Sequence, residues 1–364
     1  MAFLLLLLFC FAYHGRNIYW TLGGAALGSP ENAGIGIVEP LFSCNIVAVV
    51  GGGNKPLDQP HKVFLWDDRM GDYVAELRLS EPVRNVRLRR DRIFVVLEKA
   101  VVVYPLRAAK DPPRPLSTVA TAANPLGMLG LSVDDQNIVF ACPGDAPGCV
   151  YIENSTAGTH RLVEAHKDTA SLGTLCLNDD GSLLATTDVY GYTVRIFDTA
   201  TGAKLAEFQR GRAAATVRAM RFSPDSAWLS LTSSRPTVHI FKVPSLFRFA
   251  AGRPAEAAAA TAPPPVPPSS ASASSPTMGA RTQQLDPAPS ANYYYSSYLG
   301  SMASYFISQG SFAQIRVDSE HCLAGFCKAP GEVVVISAAG VYTRYLFNVE
   351  NGGDAIRLEE KLIL

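Results

Sequence analysis

Leu183 to Phe241 carries two near-copies of one pattern, and that repeat constrains the fold more than any other feature of the chain. One copy ends TVRIFDT (Thr193–Thr199) and the other TVHIF (Thr237–Phe241). Each is a run of β-branched and aromatic residues, and each follows a turn containing Gly191 or Pro236. Such runs read as strands because branched side chains fit a pleated, half-buried surface. From Thr193 to Thr237 is 44 residues, the period of a four-stranded propeller blade. A unit that short buries its apolar face only against its neighbours, so the repeat implies a series of such units.

The rest of the chain fits that reading. Asn45–Val50, Lys62–Trp66, Arg92–Leu97, Val150–Asn154, Glu332–Ala338 and Val341–Val349 are short β-rich runs, and Asp180-Gly181 marks a tight turn. No segment keeps a 3.6-residue apolar period over three turns. The expectation is an all-β chain, a seven-bladed β-propeller of WD40-like type, and 364 residues with 48% hydrophobic content suffice for one.

Several chemistries are excluded on composition and motif. Thirty-two basic against 32 acidic residues give no net charge, so a nucleic-acid partner is not expected and anion recognition must be local. There is no GxSxG, HExxH or Walker loop, and the six histidines form no cluster, so neither an enzyme nor a metal or cofactor site is expected. Gly51-Gly52-Gly53 lacks the following Lys-Ser/Thr and reads as a turn where backbones pass closely. Arg87, Arg89, Arg90 and Arg92 alternate across a strand as a solvated rim or a partner-binding edge. The seven cysteines are odd in number and contain no CxxC, which fits reduced core thiols in a cytosolic protein.

Two segments stand apart. Ala2–Tyr13 (AFLLLLLFCFAY) is nearly all apolar and too short to span a bilayer. Residues 1–33 are therefore read either as a degenerate first blade or as a targeting segment. Ala250 to Ser290 is Ala, Pro and Ser with few bulky apolar residues, too little to offset chain entropy. It is followed by a Tyr-rich stretch, Asn292–Phe306. The resulting divisions are 1–33, 34–249 for blades 2–6, 250–310 for an insertion in blade 6, and 311–364 for the end of blade 6 and a closing blade 7.

Between the two repeats lies Phe208-Gln209-Arg210-Gly211, followed by Arg221-Phe222-Ser223-Pro224-Asp225-Ser226 and TVHIF. These motifs resemble those of the WIPI or PROPPIN proteins, β-propellers that bind phosphoinositides and whose hallmark here is Phe/Leu-Arg-Arg-Gly. The resemblance runs from Gly34 to Phe347. It implies two shallow phosphate pockets served by adjacent residues that point opposite ways along a strand. Guanidinium suits that task because it pairs bidentately with phosphate. By resemblance the second pocket is Arg210, Ser233, Arg235, Thr237 and His239, and the first is His166, Arg195 and the residue at Gln209. That first pocket departs from the family, with Gln209 for arginine and Asp188 and Tyr192 for small hydroxyls. Its affinity is expected to be weakened or lost. The family's loop in blade 6 inserts into membranes. Here that loop presents Tyr293, Tyr294, Tyr295, Tyr298, Leu299, Met302 and Phe306, aromatic and apolar groups suited to a membrane interface.

The resemblance implies a cytoplasmic monomer held peripherally on autophagosomal, endosomal or vacuolar membranes. Its ligands would be phosphatidylinositol 3-phosphate and the 3,5-bisphosphate, and its protein partner an autophagy lipid-transfer protein. The alternative is a WD-type scaffold that has lost effective lipid binding and works only through proteins.

Overall fold

The structure, a computed structural model, describes residues 34–42, 44–53, 56–106, 114–169, 171–244, 310–319 and 321–363, with the short pairs Thr21–Leu22 and Ala25–Ala26. Among the described residues there is no helix, and the strands form six sheets of four or five members and one two-stranded ladder. Each larger sheet takes its first four strands antiparallel in chain order. The sheets occupy residues 35–78, 85–120, 130–164, 172–209, 217–242 with 313–316, and 322–346 with 356–362, called the first to sixth below.

From the second strand outward, burial falls through each larger sheet. Second strands such as Leu183–Asp188 and Trp228–Ser233 are buried along their whole length, and outer strands such as Thr159–Glu164 and Ile356–Leu362 are mostly exposed. Strands buried on both faces read as continuous apolar runs instead of alternating ones. Innermost strands neighbour each other from sheet to sheet: Ile35–Pro40 beside Asn85–Leu88, Leu172–Leu177 beside Val217–Phe222, and Val217–Phe222 beside Cys322–Phe326. Apolar clusters fill the spaces between successive sheets. Leu183, Val194 and Phe208 of the fourth sheet meet Leu229, Leu231 and Phe241 of the fifth, and Trp228 packs on Phe347 with ring centroids 5.0 Å apart. This radial stack of meandering sheets is a β-propeller.

The fifth sheet has an added feature. Its fourth strand, Ala313–Arg316, returns from the insertion and pairs with Thr237–Lys242 on one side. On the other it pairs in parallel with Gly353–Asp354, which reaches across from the sixth sheet.

Thr21–Leu22 pairs with Ala25–Ala26 inside the segment read as a first blade. The rest of residues 1–33, and with it the choice between blade and targeting segment, lies outside the described residues. So do the low-complexity insertion and the group Tyr293, Tyr294, Tyr295, Tyr298, Leu299, Met302 and Phe306.

The arginine cluster differs from the rim expected of it. Arg89 is 2% exposed and donates from Nη1 to the Ser132 carbonyl at 2.7 Å and from Nη2 to the Asp134 carbonyl at 2.9 Å. It clamps the second sheet to the third through the carbonyl oxygens of Ser132 and the turn that follows it. Arg90 pairs with Asp135 at 2.9 Å and Arg87 with Glu39 at 2.8 Å. Of the cysteines, Cys142, Cys149 and Cys322 are buried free thiols, and Cys44 is exposed. Burial pushes the Cys142 and Cys176 thiols up to about 12, which keeps them protonated and inert.

Candidate anion-binding site

Three loops converge at one end of the fourth and fifth sheets: 188–192, 210–216 and 233–237. Backbone bonds stitch them together, Ala215 N–H to the Tyr190 carbonyl at 3.0 Å and Ser234 N–H to the Thr216 carbonyl at 2.9 Å. Gly191 holds φ +64°, and a Cβ there would lie 2.4 Å from the Ala215 carbonyl oxygen, so only glycine lets the loops close.

Strand alternation then separates Gln209 from Arg210. Phe208 is buried against Phe241 of the fifth sheet, Gln209 is exposed, and Arg210 turns back inward at 7% exposure. The Arg210 guanidinium donates to the carbonyls of Gly191 and Ala213, which fix its plane. Burial, and after it the charge of Arg235, holds the Arg210 pKa below its ordinary value. Arg235 is itself turned toward the loop, with Nη2 3.5 Å from the Ala214 carbonyl. Ser233 is fully buried, and its Oγ accepts the Arg235 N–H at 3.2 Å. Thr237 N–H closes the same turn onto the Arg235 carbonyl at 2.8 Å.

His239 completes this group from two residues further along the strand. Its Nδ1 lies 3.2 Å from Ser311 Oγ, which also accepts Gln314 Nε2 at 2.9 Å. Burial, then the Arg210 charge, pushes the His239 pKa down to about 4, so the ring is neutral at physiological pH. Arg210, Ser233, Arg235, Thr237 and His239 are thus brought together. The acid whose charge acts on Arg210 is Asp188, and its Oδ1 is occupied by the Thr193 N–H at 2.8 Å.

The other face of the fourth sheet is electrostatically different. Arg195 donates to Asp168 through both Nη atoms, at 2.8 and 3.2 Å, to Glu207 from Nε at 3.0 Å, and to the Ala165 carbonyl at 2.7 Å. Lys204 adds a 2.8 Å bond to Glu207, and the two cations outweigh burial to hold that carboxyl below its ordinary pKa. His166 is fully buried with Nε2 3.0 Å from Thr186 Oγ1, and burial followed by the Arg195 charge lowers its pKa to about 4. His166 and Arg195 are neighbours; Arg195 is committed to Asp168 and Glu207, while the buried Nδ1 of His166 has no hydrogen-bond partner. Gln209 adds no charge.

Sequence reasoning passed over Tyr190, Ser311 and Gln314. Tyr190 is 54% exposed and stacks on Tyr192 at 5.8 Å, next to the Gly191 carbonyl that Arg210 grips. Its only signal in the sequence was a turn, VYGYT. Ser311 and Gln314 lie beyond the insertion, and nothing local to them points at His239.

Among the described residues no group of three or more His, Cys, Asp or Glu is placed to hold a metal ion. No helix among them is long and apolar enough to cross a membrane.

Comparisons with known proteins agree with this architecture. SVP1-like protein 2 of Neurospora crassa is 37% identical over 239 residues, 64% of this chain and 53% of that protein. The chain therefore spans about half of that relative's own length. Autophagy-related protein 18e of Arabidopsis thaliana is 28% identical over 357 residues, 96% of this chain and 82% of the relative. Kluyveromyces lactis Hsv2 superposes with a TM-score of 0.61 at 17% identity, covering 91% of this chain and 87% of that one. The Atg21 chain described as in complex with the coiled coil of Atg16 gives 0.63, also at 17% identity, over 92% and 86%. A family model described as PROPPIN matches residues 24–262. The chain belongs to the PROPPIN family.

Proposed function

We propose that the chain binds phosphoinositide headgroups through the single pocket formed by Arg210, Arg235, Ser233, Thr237 and His239. The observation that carries the reading is a buried guanidinium beside a second arginine, held by carbonyl oxygens and lacking an ion pair with any described carboxylate. Two cations so placed raise the local potential in a chain with no net charge, and a phosphate dianion relieves it. Each charge-assisted bond to such a group is worth about 1.5–3 kcal/mol, or roughly tenfold or more in affinity.

Phosphatidylinositol 3-phosphate and the 3,5-bisphosphate are the ligands in this reading. The chain then acts as a peripheral effector on autophagic or endosomal membranes and scaffolds autophagy proteins there, a lipid-transfer protein among them. Membership of the PROPPIN family and the names of its autophagy-related relatives support that setting.

Vesicle co-sedimentation is the test. Binding to vesicles carrying phosphatidylinositol 3-phosphate should exceed binding to neutral ones, and Arg210→Ala should abolish the excess while leaving the melting temperature within a few degrees. Equal binding to both vesicles would hand the function to the scaffold reading.

A further inference from the structure

Three innermost strands carry a bulge at their second residue. In the first sheet the ladder slips between Ile35 and Ile37, and in the fourth between Leu172 and Thr174, so the residues left over are Gly36 and Gly173. Neighbouring backbone closes both places. A Cβ on Gly173 would lie 2.3 Å from the Asp188 carbonyl oxygen, and one on Gly36 3.1 Å from the Gly52 Cα. In the fifth sheet the slip falls between Val217 and Ala219, and the extra residue is Arg218. A bulge re-aims one side chain, and here it re-aims a long cation where the equivalent positions carry no side chain at all.

Arg218 points to the sixth sheet. Its Nη2 lies 3.2 Å from Nε2 of His321, the residue before the strand Cys322–Phe326. Guanidinium only donates, so Nε2 accepts and the ring proton sits on Nδ1. The Nε of Arg218 is shut off from solvent with no acceptor. Arg87, Arg90, Arg195, Arg344 and Arg357 each meet a carboxylate. Arg218 meets none among the described residues. Ser319 shapes the turn, its Oγ accepting the His321 N–H at 3.2 Å.

We propose that Arg218 and His321 form a separate oxyanion site near the centre of the ring, which takes the phosphate monoester of a phosphorylated peptide. A guanidinium with no carboxylate partner among the described residues, set beside an imidazole, presents its free donors to an entering dianion. The planar guanidinium matches a phosphate edge, and a phosphate monoester brings it two charges where a carboxylate brings one. Position selects the peptide over a lipid headgroup. Arg218 sits on the innermost strand, three strand spacings or about 14 Å from the fourth strand of its sheet, Ala313–Arg316. The insertion leaves and re-enters at the third and fourth strands, so a membrane engaged there and at Arg210 stays at the rim. An extended peptide reaches the centre, and a headgroup fixed in that membrane does not.

The experiment is a titration of the full chain with O-phosphoserine, following the His321 ring by 1H–15N NMR, with serine as control. Phosphoserine should move the ring resonances saturably and serine should not. Arg218→Gln should weaken the response at least tenfold, and Arg218→Lys, which keeps the charge and loses the fork, at least threefold. Arg210→Ala should leave it within twofold. Binding to phosphatidylinositol 3-phosphate vesicles should be unchanged within twofold in Arg218→Gln. An undiminished response in a folded Arg218→Gln or Arg218→Lys variant overturns the site, and so does its loss in Arg210→Ala. Loss of vesicle binding in Arg218→Gln overturns the peptide as its occupant.

Discussion

Arg195 and Asp168 face each other as a two-pronged ion pair, with Nη1–Oδ1 at 2.8 Å and Nη2–Oδ2 at 3.2 Å. That pair, with Glu207 behind it, neutralises the arginine that the first pocket would offer to phosphate. Asp168 is well exposed, so the pair adds at most about 1 kcal/mol to stability. Its effect is on recognition. Asp168→Asn should leave the melting temperature nearly unchanged and tighten binding to phosphatidylinositol 3,5-bisphosphate vesicles about two- to fivefold, read by co-sedimentation. Unchanged binding would show that Arg195 takes no part.

Gln209 lies exposed opposite Thr193, on the same side of the strand as Glu207. Gln209→Arg alone should tighten vesicle binding only slightly, because Asp188 still repels phosphate and Arg195 is still occupied. Combined with Asp188→Asn, which keeps an acceptor for the Thr193 N–H, the gain should exceed the product of the single gains. Two working pockets give avidity without new contacts. A simple product in the double variant would argue against a restored first pocket.

Both buried histidines make stability depend on pH. His166 and His239 have pKa values of about 4 when folded, below the 6.5 of a free imidazole. The unfolded chain therefore binds more protons between those values, and stability rises with pH there. It is complete above about pH 6.5 and falls as pH drops toward 4. At pH 5 each ring should cost about 2 kcal/mol relative to pH 7.5. Urea unfolding at the two pH values measures the loss, and His239→Gln should remove about half of it.

Arg89 gives a prediction about the fold itself. Replacing it by Met keeps much of the volume but strands the carbonyls of Ser132 and Asp134, which it now serves. Arg89→Met should lower stability by about 2–4 kcal/mol in urea unfolding. A loss under 1 kcal/mol would mean that water replaces the guanidinium.

The last prediction rests on sequence alone. Changing Tyr298, Leu299 and Phe306 to Ser removes large apolar area from the insertion, and each aromatic buries about 150–250 Å² when it leaves water. If the loop compensates for the altered first pocket, the triple variant should lose most of its vesicle binding. Tyr190→Ser, at the exposed loop beside Arg210, should lose a smaller share. A triple variant that binds like the parent would end the compensation idea.

The 44-residue repeat was enough to read the architecture, because a strand's apolar pattern and its turn residues are local properties. The grouping of Arg210, Ser233 and His239 came from the resemblance of their motifs, because Arg210 and Ser233 come from different sheets and no local pattern joins them. Arg89 was not legible. Its burial depends on carbonyls 43 and 45 residues away, and an arginine in an alternating strand looks solvated until the next sheet is in place. The capture of Arg195 by Asp168 was hidden likewise, by a separation of 27 residues across a loop. Arg218 shows a further limit, because a register slip belongs to a pair of strands and leaves no mark on either one.

The parallel ladder from Ala313–Arg316 to Gly353–Asp354 has a mechanical consequence. The four-residue strand carries the chain back from the insertion, so tension on the insertion reaches it and Thr237–Lys242 directly. Secured on one flank, so short a strand would peel away one bond at a time. With ladders on both flanks, tension along its axis must shear two rows of bonds together, and the second row is anchored in the sixth sheet. Tension entering through the insertion is thereby shared between two blades.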